Sequence, residues 1–275
     1  LQIWKESSRN FKVVDATLTM DGEDAVLKAS YLLAAGNLYI ATYRIHPSGV
    51  VKADYTFTST EMDAAETEVS TRLATFTPGN EALRKESSKL VVPRIGVRFR
   101  LPANMNQVTY FGRGPGENYI DRNNGTLVGL YKNTADAMYF PYVRPQENGH
   151  HTDTRWLTLS RKGGKGLTIY ADKTIGFNAL RNSVEDFDGE EATHRDYQWQ
   201  NRNEEERKHD VATARNIKPR QTHINDITPR NFVEVCIDMK QMGVGGYDSW
   251  GAIPDPQYLI PANQEYKWGF TIVPQ

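Results

Sequence analysis

The fold class follows from one segment, Asn37-Leu-Tyr-Ile-Ala-Thr-Tyr-Arg-Ile-His-Pro-Ser-Gly-Val-Val-Lys-Ala-Asp-Tyr-Thr-Phe-Thr58. From Val51 to Thr58, apolar and polar side chains alternate, which is the pattern of a half-buried β-strand. Residues 37–45 have the composition of a second strand, and His46-Pro-Ser-Gly49 is a turn sequence. We therefore predict an antiparallel hairpin in this segment.

The same alternation recurs on both sides of this hairpin. It is found at residues 94–101, 155–161, 166–170, 232–239 and 266–273, with the turn Lys162-Gly-Gly-Lys165 between the second and third of these. Many short strands separated by turns are typical of antiparallel sheets that pack face to face. We predict an all-β fold, a large antiparallel β-sandwich. Because no repeat or linker divides the sequence, we expect residues 1–275 to form a single domain.

One polar stretch departs from the strand pattern. Residues 183–220 contain the run Glu204-Glu-Glu-Arg-Lys-His-Asp210. Ser183, followed three residues later by Asp186, fits a capping box at the start of a short helix. We interpret residues 187–213 as a polar surface insertion, and a partner-binding arm is the alternative.

Composition narrows the range of partners and compartments. The 33 basic and 34 acidic residues give a net charge of -1, so we predict no nucleic-acid partner. There is no run of about 18 apolar residues, so we predict no membrane span and a soluble protein, either cytoplasmic or periplasmic. The first residue is Leu1 rather than Met, and we expect a piece of a longer polypeptide.

Cysteine and histidine positions offer little chemistry by themselves. Cys236 lies in an alternating strand, which favours a small buried residue over a nucleophile. His150 and His151 are adjacent, and adjacent strand residues point to opposite faces, so one metal ion cannot easily bind both. Because the sequence lacks zinc-type spacing, we predict no metal site and no cofactor in this chain.

A glycine-rich segment, Val108-Thr-Tyr-Phe-Gly-Arg-Gly-Pro-Gly-Glu-Asn-Tyr-Ile-Asp-Arg122, could suggest a phosphate-binding loop. Its glycines do not form GxGxxG, and no amphipathic helix follows. We interpret it as a sharp turn in which Glu117 and Asp121 hold loops through Arg113 and Arg122. Downstream, Glu147 with Asn148 resembles a buried polar bridge that pairs with arginines.

A second glycine-rich segment, Met242-Gly-Val-Gly-Gly-Tyr-Asp-Ser-Trp250, ends in an indole. Its glycines permit positive φ angles. The residues alone leave two roles open for Trp250, because it could close one end of the sandwich or cover a ligand. The candidate supporting residues of this 242–250 loop are Gly245, Gly246, Asp248 and Ser249.

Four motifs taken together resemble the C-terminal domain of the large β-galactosidases of glycoside hydrolase family 2. They are Pro93-Arg-Ile-Gly-Val-Arg-Phe99, Phe111-Gly-Arg-Gly-Pro-Gly-Glu-Asn-Tyr-Ile-Asp-Arg122, Pro141-Tyr-Val-Arg-Pro-Gln-Glu-Asn-Gly149 and the 242–250 loop. The resemblance covers nearly the whole chain, from Trp4 to the final strand. The family usually has Asp at the position of Tyr247.

This resemblance implies the fifth, small-chain-type domain of such an enzyme, a supersandwich with a galactose mutarotase-like fold. It implies that both glutamates of a retaining mechanism lie in a TIM barrel of the same polypeptide. This chain alone is then inactive, and Trp250 stacks on the galactoside substrate. Mg²⁺ and Na⁺ of the parent enzyme would lie outside this domain or at its edge, and a homo-oligomeric parent is compatible with the resemblance.

Two alternative functions would need the same fold but no catalytic barrel. A mutarotase-like aldose epimerase needs a general acid and a general base. His150, His151, Glu117 and Glu147 are the candidate groups for these roles. A stand-alone carbohydrate-binding module would instead bind glycans through exposed Trp and Tyr side chains.

Overall fold

The structure, a computed structural model, describes residues 4, 7, 10–33, 36–58, 91–144, 146–187, 224–245 and 254–275. Regular structure in these ranges is almost entirely β, which confirms the predicted fold class. The strands are β1 (Lys12–Asp21), β2 (Asp24–Leu32), β3 (Leu38–Ile45), β4 (Val51–Phe57), β5 (Arg94–Pro102), β6 (Gln107–Gly114), β7 (Leu127–Thr134), β8 (His151–Ser160), β9 (Gly166–Leu180), β10 (Phe232–Gln241) and β11 (Tyr266–Pro274). The described residues contain no helix long and apolar enough to cross a membrane.

Both predicted hairpins are confirmed. β3 and β4 pair antiparallel from Tyr39 opposite Phe57 to Ile45 opposite Val51, and β8 and β9 pair beside the turn at residues 162–165. The short helix predicted after Ser183 is a single 3-10 turn, Val184–Phe187, in which the Ser183 N–H donates to Asp186 Oδ2 at 2.9 Å. Apart from its first residue, the predicted insertion at 187–213 lies outside the described residues.

The sheet divides at β9. Residues 167–171 of this strand pair with β11, residues 176–180 pair with β10, and β8 pairs with both parts. Two wings leave the shared strands: the long wing, β11-β4-β3-β2-β1, and the short wing, β10-β5. The two wings face each other. A hydrogen bond between them shows this, in which the Tyr39 hydroxyl of the long wing donates to the Gly96 carbonyl of the short wing at 3.3 Å. This arrangement forms the two layers of the sandwich.

The main core lies inside these layers. It joins Ala53 and Tyr55 of the long wing, Val235 and Ile237 of the short wing, and Leu157 of β8. Their burial follows from the alternation in the sequence, because every second residue of a strand points to the same face.

A smaller core closes the end of the sandwich from which the 242–250 loop departs. It contains Ile95, Leu259, Ile260 and Met242, all of them buried. Met242 is the first residue of the loop, so this core fixes the place where the loop begins.

One glycine of the Phe111–Arg122 motif is required by close packing between strands. A Cβ atom added at Gly112 of β6 would lie 2.9 Å from the Thr154 Cα of β8. Thr154 cannot move away easily, because the contact is with its backbone. The glycine therefore belongs to the sheet and not to a phosphate-binding loop.

We expect Gly112→Ala to lower the free energy of unfolding by about 1–3 kcal/mol, the usual cost of adding a methyl group to a packed interior. Urea unfolding followed by tryptophan fluorescence measures this difference.

Gly125→Ala is the matched control, because nothing lies within 4 Å of a Cβ atom at Gly125. Both variants restrict the unfolded chain to a similar extent, so their difference isolates the clash. Equal stability of the two variants would contradict the packing argument.

Candidate functional site

Three backbone N–H groups, those of residues 242, 243 and 245, hold the root of the 242–250 loop. The Met242 N–H donates to the Pro93 carbonyl at 2.9 Å, and the Gly243 N–H donates to the Tyr258 carbonyl at 2.9 Å. The Gly245 N–H then donates to Asp121 Oδ2 at 2.7 Å. The first residues of the loop are thus fixed to the body of the domain.

Of the five predicted site residues, the structure describes one. Gly245 lies at the fixed root, beside Asp121. Gly246, Asp248, Ser249 and Trp250 lie outside the described residues, so their roles stay predictions.

Asp121 is the side chain around which the loop root is arranged. A Cβ atom at Gly243 would lie 2.6 Å from Asp121 Oδ2 and 3.0 Å from Pro254 Cβ. Any larger residue at position 243 would have to displace the Asp121 side chain that binds the Gly245 amide. Asp121 Oδ1 is buried, and none of the described residues donates a hydrogen bond to it.

Glu117 organises the turn that carries Asp121. Its carboxylate accepts from Arg122 Nη2 at 2.7 Å, from the Gly149 N–H at 2.7 Å and from the Tyr142 hydroxyl. The carboxylate is 6% exposed, so these donors replace water almost completely. The cluster connects the Phe111–Arg122 motif to the Pro141–Gly149 motif.

The prediction that Glu117 and Asp121 hold loops through Arg113 and Arg122 is confirmed for Glu117 and Arg122 and is wrong for Asp121 and Arg113. Glu117 pairs with Arg122, one of the two arginines that the prediction named. Arg113 instead pairs with Asp153, and Asp121 binds the Gly245 backbone. The sequence pattern correctly identified the charged residues but could not identify a backbone amide 124 residues downstream as the partner.

A buried ion pair lies beneath this region. Arg94 Nη2 of β5 is 2.7 Å from Asp238 Oδ2 of β10, and the Asp238 side chain is 1% exposed. Arg94 Nη1 also lies 3.6 Å from Glu147 Oε1, which confirms that Glu147 pairs with an arginine. Burial raises the pKa of Asp238 to about 6, and the charge of Arg94 opposes that rise.

Asn178 of β9 links this pair to His150. Its Oδ1 accepts from Arg94 and from His150 Nδ1, the latter at 2.8 Å. Its amide donates to the Asn148 carbonyl at 2.5 Å. His150 therefore carries its proton on Nδ1. Asn178 and Asp238 were missed by the sequence analysis, although two carboxylates, Glu234 and Asp238, in the otherwise apolar run 232–238 were a signal of a polar interior face.

The two adjacent histidines are structural groups inside the sandwich. His151 lies against the Phe177 ring at 5.2 Å between centroids, and its Nδ1 is 3.1 Å from the Tyr110 hydroxyl. Burial lowers the pKa of His150 to about 3 and that of His151 to about 4. A general acid functions best with a pKa near the working pH, and neither group meets this condition at pH 7.

Cys236 is also a core residue, as predicted. It is 5% exposed, and burial raises the pKa of its thiol to about 12. A protonated thiol in the interior is a poor nucleophile. Among the described residues, the clusters around Glu117 and Asp238 thus position backbone and loops, and they contain no exposed pair of groups suited to bond cleavage.

Comparisons with known proteins give the family of this chain. The family model described as beta galactosidase small chain matches residues 1–272. The chain is 30% identical over 230 residues to a beta-galactosidase of Priestia megaterium, covering 81% of this chain and 19% of that protein. It is 31% identical over 183 residues to a beta-galactosidase of Streptococcus thermophilus, covering 66% and 15%. A beta-galactosidase of an Arthrobacter species is 40% identical over 102 residues, covering 35% and 10%.

The chain therefore spans less than a fifth of the length of each of these relatives. The family match extends over almost the whole chain and includes all four motifs, whose residues form the loop root and the buried polar clusters. On this evidence, the chain belongs to the beta-galactosidase small chain family.

Proposed function

We propose that this chain is the C-terminal accessory domain of a retaining β-galactosidase that hydrolyses terminal β-galactosides. The catalytic TIM barrel, with its acid/base and nucleophile glutamates, lies elsewhere in the same polypeptide. This domain supplies the indole of Trp250 as an apolar platform for the sugar. The family match and the small share of each relative that the chain covers support the proposal.

The observation that carries the proposal is the fixed root of the 242–250 loop. A loop that delivers a side chain to a neighbouring domain needs a rigid origin, because binding energy is lost in ordering flexible segments. Here the Gly245 amide is bound to Asp121, which lies in the turn organised by Glu117. Asp121 therefore acts as a positioning residue for the loop, and Trp250 is the residue that contacts substrate.

In the full-length enzyme, we expect Trp250→Ala to raise KM for lactose about 5- to 150-fold, because losing one aromatic contact costs roughly 1–3 kcal/mol. Steady-state kinetics with lactose measures this effect. Unchanged KM and kcat would contradict the proposal.

Three controls separate the loop from general damage. Asp121→Ala should raise KM for lactose by a smaller factor than Trp250→Ala does. Asp121→Asn keeps an acceptor oxygen for the Gly245 amide, so its KM should be close to that of the wild type. Tyr170→Ala removes an exposed ring from β9 and should leave KM unchanged. The 275-residue chain alone should release no nitrophenol from o-nitrophenyl β-galactoside.

A further inference from the structure

A large cavity lies between the two wings of the sandwich and is lined by residues of both. Its volume is about 850 Å³. Cavities that hold organic ligands typically measure about 300–1,000 Å³. None of the residues of the 242–250 loop that the structure describes line it, although Pro93, whose carbonyl accepts from the Met242 N–H, is one of its lining residues.

One wall of the cavity is aromatic. Tyr31 of β2 and Tyr39 of β3 lie directly opposite each other, and Tyr43 follows on the same face of β3. Phe11 extends this wall, with its ring edge-on to Tyr31 at 5.2 Å between centroids. The wall offers apolar ring surface together with the hydroxyls of Tyr31 and Tyr43, whereas the Tyr39 hydroxyl already donates to the Gly96 carbonyl.

The opposite wall is polar and belongs to the short wing and its neighbours. Arg94 and Arg98 reach the cavity with 20% and 34% of their side chains exposed, and Glu147 reaches it with 29% exposed. These groups combine planar donors and acceptors, which suit the paired hydroxyls of a polyol.

Buried polar groups fix the side chains of Arg94, Arg98 and Glu147. Asp238 lies 2.7 Å from Arg94, and Glu234, 4% exposed, lies 3.6 Å from Arg98. Asn178 donates to Glu147 at 3.4 Å. The polar wall is therefore fixed before any ligand arrives, which reduces the entropy lost on binding.

The charge of the polar wall disfavours anionic ligands. Among the described lining residues, four carboxylates stand against two guanidinium groups, and Arg100 also pairs with Glu234 at 2.9 Å, so a small negative charge remains and disfavours an anion. The carboxylates are Glu147, Glu185, Glu234 and Asp238. Most of this charge is already compensated within the ion pairs, which favours a neutral ligand with many hydroxyl groups over a cation.

We propose that this cavity binds a short neutral saccharide, with the sugar ring against Tyr31, Tyr39 and Tyr43 and its hydroxyls at Arg94, Arg98 and Glu147. The proposed site is built from residues other than Trp250, and it does not depend on hydrolysis. It would let the domain hold a glycan between its own layers.

Saturation-transfer NMR on the 275-residue chain tests this site, with lactose as the neutral probe, galacturonate as the anion and choline as the cation. We expect transfer to lactose and none to the other two. Tyr31→Ala and Arg98→Gln should each raise the Kd for lactose about 3- to 10-fold, the effect of losing one aromatic or polar contact.

Matched variants distant from the cavity complete the experiment. Tyr170→Ala and Arg155→Gln remove an exposed ring and an exposed guanidinium elsewhere, and should leave the Kd unchanged. Absence of transfer to lactose overturns the site, and so does binding of choline that Tyr31→Ala weakens. Lactose binding that Trp250→Ala abolishes and Tyr31→Ala leaves intact assigns the sugar to the loop and also overturns the cavity site.

Discussion

The buried pair of Arg94 and Asp238 is the interaction on which the short wing depends. Two charges in a protein interior are costly to desolvate, and they are tolerated only when each has a partner and further hydrogen bonds. The partners here come from separate parts of the chain: Arg94 from β5, Asp238 from β10 and Asn178 from β9. Glu147 adds the Pro141–Gly149 motif to the same cluster. One polar cluster thus joins β5, β9 and β10 through side chains, in addition to the backbone pairing of these strands.

The position of the 242–250 loop follows from this cluster. The loop begins four residues after Asp238, and its first amide binds the carbonyl of Pro93, the neighbour of Arg94. Asp121 then holds Gly245, and Glu117 holds the turn that carries Asp121. The motifs that mark the family are therefore mainly structural in the described residues. They hold a loop in place, and it is the proposed function, not these residues, that puts the chemistry in a barrel elsewhere in the polypeptide.

Local features were predictable from sequence, and long-range partners were not. The hairpin of β3 and β4 and the strands β5, β10 and β11 follow from alternation, because burial of one face imposes a period of two. The division of the sheet at β9 leaves no such signal, because residues 166–180 form one continuous strand whose neighbours change halfway. The partner of Asp121 is a backbone amide, and carboxylates that bind backbone look the same in sequence as those that bind arginine.

A double-mutant cycle on Arg94 and Asp238 tests the central claim most directly, with the free energy of unfolding measured for Arg94→Met, Asp238→Asn and the double variant. Removing one partner leaves a buried group unpaired, so each single change should cost about 3–5 kcal/mol. The double variant should cost less than the sum of the two, by on the order of 0.5–3 kcal/mol. Strictly additive effects, or single variants as stable as the wild type, would contradict the role assigned to this pair.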